Sequence, residues 1–199
     1  SLRNWREKIL AAIGRNGQLI IDVIPEVEII IGKQPSLPKL DLLESQRRFN
    51  LVFQDFINVF TQPQHSLVIF LDDLQWADFA SLDLLKLLAI NKNSEYLLIL
   101  GAYRDNEVSA SHPLIQILEE IKQYGIPVHD ILLKPLNLRE INQLISETLN
   151  CSVEKIYPLA ELIFYKTNGN PFFLNQLLQY LYKRNLLFFN FQTKHWQWS

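Results

Sequence analysis

Residues 67–78 read LVIFLDDLQWAD, and five apolar residues, 67–71, run directly into the carboxylate pair Asp72 and Asp73. A continuous apolar run of this length, bounded by turn chemistry, predicts a strand buried on both faces of a parallel sheet. Ligands of open parallel sheets bind in the crevice beyond the carboxyl ends of the strands, where the two aspartates fall. Adjacent carboxylates repel each other and resist burial unless a cation or hydrogen-bond donors compensate. Two readings follow. In one, Asp72 holds a Mg²⁺ carrying a phosphate chain and Asp73 polarises an attacking water. In the other, both carboxylates cap the helix that starts near Asp78. The residue pattern alone leaves both open.

Working outward, residues 78–90 have helical apolar spacing with Asp78 as N-cap, and residues 97–103 (LLILGAY) form a second buried strand ending at Arg104. His112-Pro113 opens a helix to about Tyr124, and residues 128–134 (VHDILLK) read as a third, weaker strand. This alternation predicts right-handed crossovers in a parallel sheet. Upstream, residues 42–60 carry an apolar helical face, residues 33–41 form a proline-punctuated loop, and residues 2–13 form a helix stopped at Gly14 and Gly17. Residues 18–31 (QLIIDVIPEVEIII) are rich in β-branched residues. Propensity makes them a strand, whereas Pro25 argues against a central strand and allows two short helices.

After Pro135 the pattern changes to helices beginning near Asn137 and covering 155–167 and 171–184, the last two separated by Asn168-Gly169-Asn170-Pro171. Residues 186–198 (LLFFNFQTKHWQW) read as an aromatic hairpin. The organisation expected is an α/β core over 1–135, a helical unit over 136–185, and over 186–199 a hairpin that could begin a winged-helix unit. In that case Phe188, Phe189, Phe191, Trp196 and Trp198 would be exposed as an apolar patch.

The 199 residues are 48% hydrophobic and 20% charged, the balance of an ordinary globular protein. A net charge of −2 and the lack of a basic stripe argue against nucleic acid as a partner. A single cysteine, Cys151, excludes an internal disulfide and fits a reducing, cytoplasmic setting. No apolar run approaches the roughly 18 residues that cross a bilayer. His65, His112, His129 and His195 are scattered without ligand spacing, so no zinc-type centre is expected. The chain contains no methionine and begins inside an apparent helix, and is therefore read as a fragment of a longer protein.

Taken in order, FLDDLQWAD, LLILGAYRDNEV and TNGNPFFLNQLL resemble the signalling ATPases of the STAND class within the AAA+ superfamily. More narrowly, they resemble the ATPase-like segment of large bacterial multidomain kinases, notably cyanobacterial ones with a serine/threonine kinase domain before it and sensor or histidine-kinase domains after it. The resemblance implies ATP and Mg²⁺ as cofactors, with Asp72 and Asp73 as the Walker B carboxylates and Asp72 as the metal ligand. It implies that Arg104 is the sensor 1 arginine, and that Gly169 and Pro171 are the GxP turn of a lid lying against the nucleotide. It also favours helices over 18–31. Strand ends about 4.8 Å apart would let Asp73 and Arg104 reach one γ-phosphate. A plainer role for Arg104 is a surface pair with Asp105 or Glu107, and for the Gly169 turn a simple helix break.

No GxxxxGK[ST] phosphate loop occurs. Gly32-Lys33 is followed by Gln34 instead of Ser/Thr, Val27 stands where the first glycine belongs, and prolines follow instead of a helix. In the resembling family that loop lies upstream, on a strand between those matching 97–103 and 128–134. The expectation is a partial AAA+ parallel sheet followed by a helical lid. Its function would be an ATP-dependent regulatory switch of a multidomain signal-transduction kinase, with neighbouring kinase and sensor domains as partners. The alternatives are a non-catalytic interaction scaffold and, further off, an origin-recognition-type DNA-binding ATPase. Trp76 is expected to pack beside the carboxylates.

Overall fold

Ile9 and Ile13, one turn apart on helix α1 (Leu2–Ile13), are both buried and begin the principal core. The computed structural model of the chain describes residues 2–38 and 40–198, so whatever was expected of Ser1, Lys39 and Ser199 lies outside the described residues. The β-branched stretch 18–31 forms two short helices, α2 (Gly17–Ile21) and α3 (Val27–Ile31), which add Ile20, Ile21, Val27 and Ile31 to that core. Burial thus overrides strand propensity. Pro25 sits in the turn between the two, where it has no helical hydrogen bond to lose and its carbonyl accepts the Glu28 N–H at 3.1 Å. Gly32 ends α3 with φ 76°, and the next helix is α4 (Leu42–Asn58), which Asp41 caps by accepting the Glu44 N–H at 2.8 Å. The apolar face of α4 carries a run of aromatic contacts from Phe49 through Phe53 and Phe56 to Phe60, which stacks on Trp5 of α1.

Strands β1 (Leu67–Leu71) and β2 (Leu97–Gly101) pair in parallel, with Leu67 opposite Leu97 and Leu71 opposite Gly101. Helix α5 (Phe79–Ala89) connects them, and α6 (Pro113–Gln123), capped by His112 through Nδ1, follows. Leu67, Ile69, Leu97 and Ile99 pack on the α1–α4 core. The alternate residues Val68, Phe70, Leu98 and Leu100 are exposed, Phe70 to 62%. The expectation of burial on both faces is therefore corrected. Helices α1–α4 cover one face, and the described residues leave the other largely open. Leu74, Leu82, Leu85 and Leu114 form a second cluster where α5 meets α6, and Lys86 ties the two helices through Glu120 at 3.0 Å.

The expected third strand over 128–134 is also corrected: no strand forms between α6 and residue 137 among the described residues. A strand is stable only when its N–H and C=O groups pair with a neighbour, and here none does. Ile131, Leu132 and Leu133 are accordingly exposed.

The chain divides into two compact units, Ser1–His129 and Asp130–Ser199. In the second, α7 (Leu138–Leu149) opens with a reciprocal capping box between Asn137 and Glu140. Helices α8 (Val153–Thr167) and α9 (Pro171–Lys183) follow, then the antiparallel hairpin β3 (Leu187–Asn190) and β4 (His195–Trp198). Ile141, Ile145, Ile156, Ile163, Leu174 and Leu187 form its core, with Trp196 and Trp198 packed against it. The aromatic patch expected of the hairpin is thus divided: Phe188, Phe189 and Phe191 are exposed and the two tryptophans are half-buried. Among the described residues no helix is long and apolar enough to cross a membrane.

Gly169 adopts φ +79° directly after Asn168, itself left-handed at φ 48°. Its carbonyl accepts the Leu136 N–H at 2.9 Å, and a Cβ at this position would collide with the Leu136 carbonyl oxygen. Both the backbone conformation and the close approach demand glycine. Gly169→Ala should therefore destabilise the second unit by about 2 kcal/mol or more. Urea denaturation followed by circular dichroism measures this, and an unchanged midpoint would show that the turn relaxes freely.

Candidate functional site

The β1–β2 pairing does not stop where the strands end. Ala102 N–H donates to the Leu71 carbonyl at 2.8 Å, and Leu74 N–H donates to the Ala102 carbonyl at 3.0 Å. These two bonds enclose Asp72 and Asp73, which must leave the strand in a confined space. Asp73 does so in the left-handed region at φ 54°, which Asp tolerates better than most residues. Its N–H donates to the Asp72 carboxylate at 2.9 Å. Gly101 belongs to the same constriction: Leu74 Cδ1 lies 2.6 Å from the place a Cβ would occupy. The short 3₁₀ turn Leu74–Trp76 follows.

Across the strand ends, Arg104 Nε lies 3.9 Å from Asp73 Oδ1, and Arg104 Nη1 lies 2.9 Å from Glu107 Oε1. The guanidinium also sits over the Trp76 ring, 5.4 Å from its centroid. Glu107, through its hydrogen bond first and its charge second, raises the Arg104 pKa further, and the charges of Asp73 and Asp72 add to this. Arg104 thus faces Asp73 and is held by Glu107, the closer of the two carboxylates. Trp76, expected to pack beside the carboxylates, is 67% exposed and makes its contact with the arginine that faces Asp73.

The capping alternative for the two aspartates is not what the structure contains. Asp78 alone caps α5, accepting the Ser81 N–H at 2.7 Å. Gln75, which sequence reasoning passed over, is 7% exposed and joins both sides of the site. Its Nε2 donates to Asp73 Oδ1 at 2.9 Å, and its Oε1 accepts the Arg104 N–H at 3.2 Å. The available signal was a polar residue between the two large apolar residues Leu74 and Trp76. Leu74 and Gly101 carried no such signal, because their relation exists only across the sheet.

Gly169 and Pro171 belong to the second unit. There Asn170 caps α9, accepting the Phe172 and Phe173 N–H groups at 3.0 and 3.4 Å, and Pro171 occupies the first helical turn. The turn thus has a structural reason for each of its residues.

Chemically, the β1 end offers hard oxygen donors. Asp72 uses Oδ1 for the Asp73 N–H, and among the described residues no hydrogen bond engages its other oxygen. Magnesium is commonly held by one or two carboxylates plus phosphate oxygens and waters, so this donor set fits it.

A family model described as "AAA ATPase domain" matches residues 1–100, half of the chain. The chain belongs to the AAA ATPase domain family. It is also similar to the Hybrid signal transduction histidine kinase G of Dictyostelium discoideum, at 28% identity over 261 aligned positions that take in 100% of this chain and 7% of that protein. The chain thus spans only a small part of the length of the curated relative it matches. No solved structure matches the chain.

The Ser81 N–H holds the Asp78 carboxyl below its ordinary value of 3.8. Because the folded value is the lower one, the cap's contribution is complete above 3.8 and is lost as pH falls through the folded value. Exchange of the Ser81 amide, corrected for intrinsic rate, should therefore be flat above about pH 5 and accelerate in acid. Equal protection across that range would show that another acceptor holds this amide.

Proposed function

We propose that this chain is the Walker B, sensor 1 and lid portion of an ATP-dependent regulatory switch in a signal-transduction protein. The observation that carries the reading is the approach of Asp73 and Arg104 to 3.9 Å at the ends of adjacent parallel strands, in a chain of the AAA ATPase domain family. Asp72 would hold Mg²⁺, which supplies charge neutralisation at the β- and γ-phosphates. Asp73 would take up a proton from the attacking water, and Arg104 would stabilise charge on the transferred phosphoryl group. The phosphate loop would come from residues outside this sequence. The open apolar face of β1 and β2 and, separately, the exposed Ile131–Leu133 segment are surfaces that the complete domain would bury.

Residues 136–185, with Gly169 and Pro171, would serve as the lid whose closure registers the nucleotide. The name of the Dictyostelium relative and the STAND-type motif order support kinase and sensor domains as the fused or neighbouring partners, in the cytoplasm. A second reading is an interaction module of the same fold without turnover. It draws on the Arg104–Glu107 pair, which at 2.9 Å is closer than the approach to Asp73.

The 199-residue chain alone should bind a fluorescent ATP analogue only weakly, since it contains no GxxxxGK[ST] phosphate cradle; titration to saturation at micromolar analogue would overturn this. In a longer protein that supplies the loop, Asp73→Asn should reduce hydrolysis about 100-fold while leaving ATP affinity within about threefold. Unchanged turnover would remove Asp73 from the reaction and favour the interaction module.

A further inference from the structure

The contacts of Asp73 are unevenly divided between its two oxygens. Gln75 Nε2 at 2.9 Å and Arg104 Nε at 3.9 Å both address Oδ1. Among the described residues no hydrogen bond or ion pair engages Oδ2. A carboxylate fixed through one oxygen cannot rotate freely about its Cβ–Cγ bond, and the other oxygen is left facing a constant direction. Gln75 supplies this restraint from a buried position, so its own side chain has few alternative rotamers. The other end of its amide accepts the main-chain N–H of Arg104 at 3.2 Å. One side chain therefore binds the carboxylate leaving β1 and the backbone leaving β2.

The chemistry of this link is specific to glutamine. It requires a donor and an acceptor on the same planar group, which an amide provides and an ionised carboxylate does not. Glutamate at position 75 would keep an acceptor for Arg104 N–H but would turn a second negative charge on Asp73. Asparagine carries the same amide on a side chain one methylene shorter. An apolar residue of similar size would leave the Arg104 N–H without its acceptor.

We propose that Gln75 is a positioning residue that sets the Asp73 carboxylate relative to Arg104, holding Oδ1 so that Oδ2 is presented to the reacting water. The proposal rests on the reading of Asp73 and Arg104 as the reactive pair. It adds that their relation is fixed through the Gln75 side chain and not only through the sheet.

Two measurements test it. In the 199-residue chain, nitrogen-edited NMR follows amide exchange. Gln75→Ala should speed exchange of the Arg104 N–H by about tenfold while the amides of Ile9 and Leu82 in the same unit keep their rates. Gln75→Glu should leave Arg104 protected. In a longer protein that hydrolyses ATP, Gln75→Glu should lower kcat by about tenfold or more with KM within about twofold, the pattern of a group acting only in the transition state. Unchanged Arg104 exchange in Gln75→Ala overturns the link, and so does a general rise at Ile9 and Leu82, which would make Gln75 a packing residue. An active wild type with an equally active Gln75→Glu variant overturns the positioning role and leaves the ATPase reading standing. A wild type that neither binds nor hydrolyses ATP overturns the ATPase reading, and the positioning role with it.

Discussion

Two main-chain hydrogen bonds beyond the last paired residues of the β1–β2 ladder organise the candidate site at the strand ends. Ala102 N–H to Leu71 carbonyl and Leu74 N–H to Ala102 carbonyl carry the sheet past its strands and force the intervening Asp72 and Asp73 out of it. The left-handed conformation of Asp73, the seating of Leu74 over Gly101 and the inward turn of Gln75 all follow from that closure. Without those bonds the two aspartates would sit on an ordinary loop with rotational freedom, and no constant distance to Arg104 would exist.

Each unit is stabilised by a core of branched aliphatic side chains, and the charged groups contribute mainly direction. In the first unit, isoleucines and valines from four helices bury one face of a two-stranded sheet. In the second, three helices and a hairpin close around another aliphatic cluster. Among the described residues several ion pairs are surface pairs, such as Arg3 with Glu7, and contribute little to stability individually. Arg104 is the instructive case. Glu107, Asp73 and Trp76 surround it, and their effect is to fix where a permanent cation sits.

Much of this was legible in the sequence. The helix starts at Asp41, Asp78, His112, Asn137 and Asn170 were readable because capping is local chemistry, and in each case the side chain accepts a backbone N–H within three residues. The parallel pair β1 and β2 was readable from two apolar runs around a helical segment. The candidate pair Asp73 and Arg104 was readable because strand ends in a parallel sheet share one edge. Less legible were the features that depend on a neighbour. Propensity favoured a strand over 18–31, but burial in a helical core decided otherwise. The apolar run 67–71 suggested two covered faces and residues 128–134 suggested a strand; one lacks a second covering layer and the other a pairing partner.

The amino-acid sequence by itself therefore determined where most of the capped helices begin, which strand ends carry charge, and that the chain has the motif order of a nucleotide-associated fold. Those properties arise from interactions over a few residues, or from apolar periodicity. Only the tertiary structure decided that Gln75 spans two strand exits, that Leu74 requires Gly101, and that Gly169 must be glycine because the Leu136 carbonyl lies against it. Each of these joins residues some 25 to 35 positions apart in the chain, a relation that exists only once the backbone has closed.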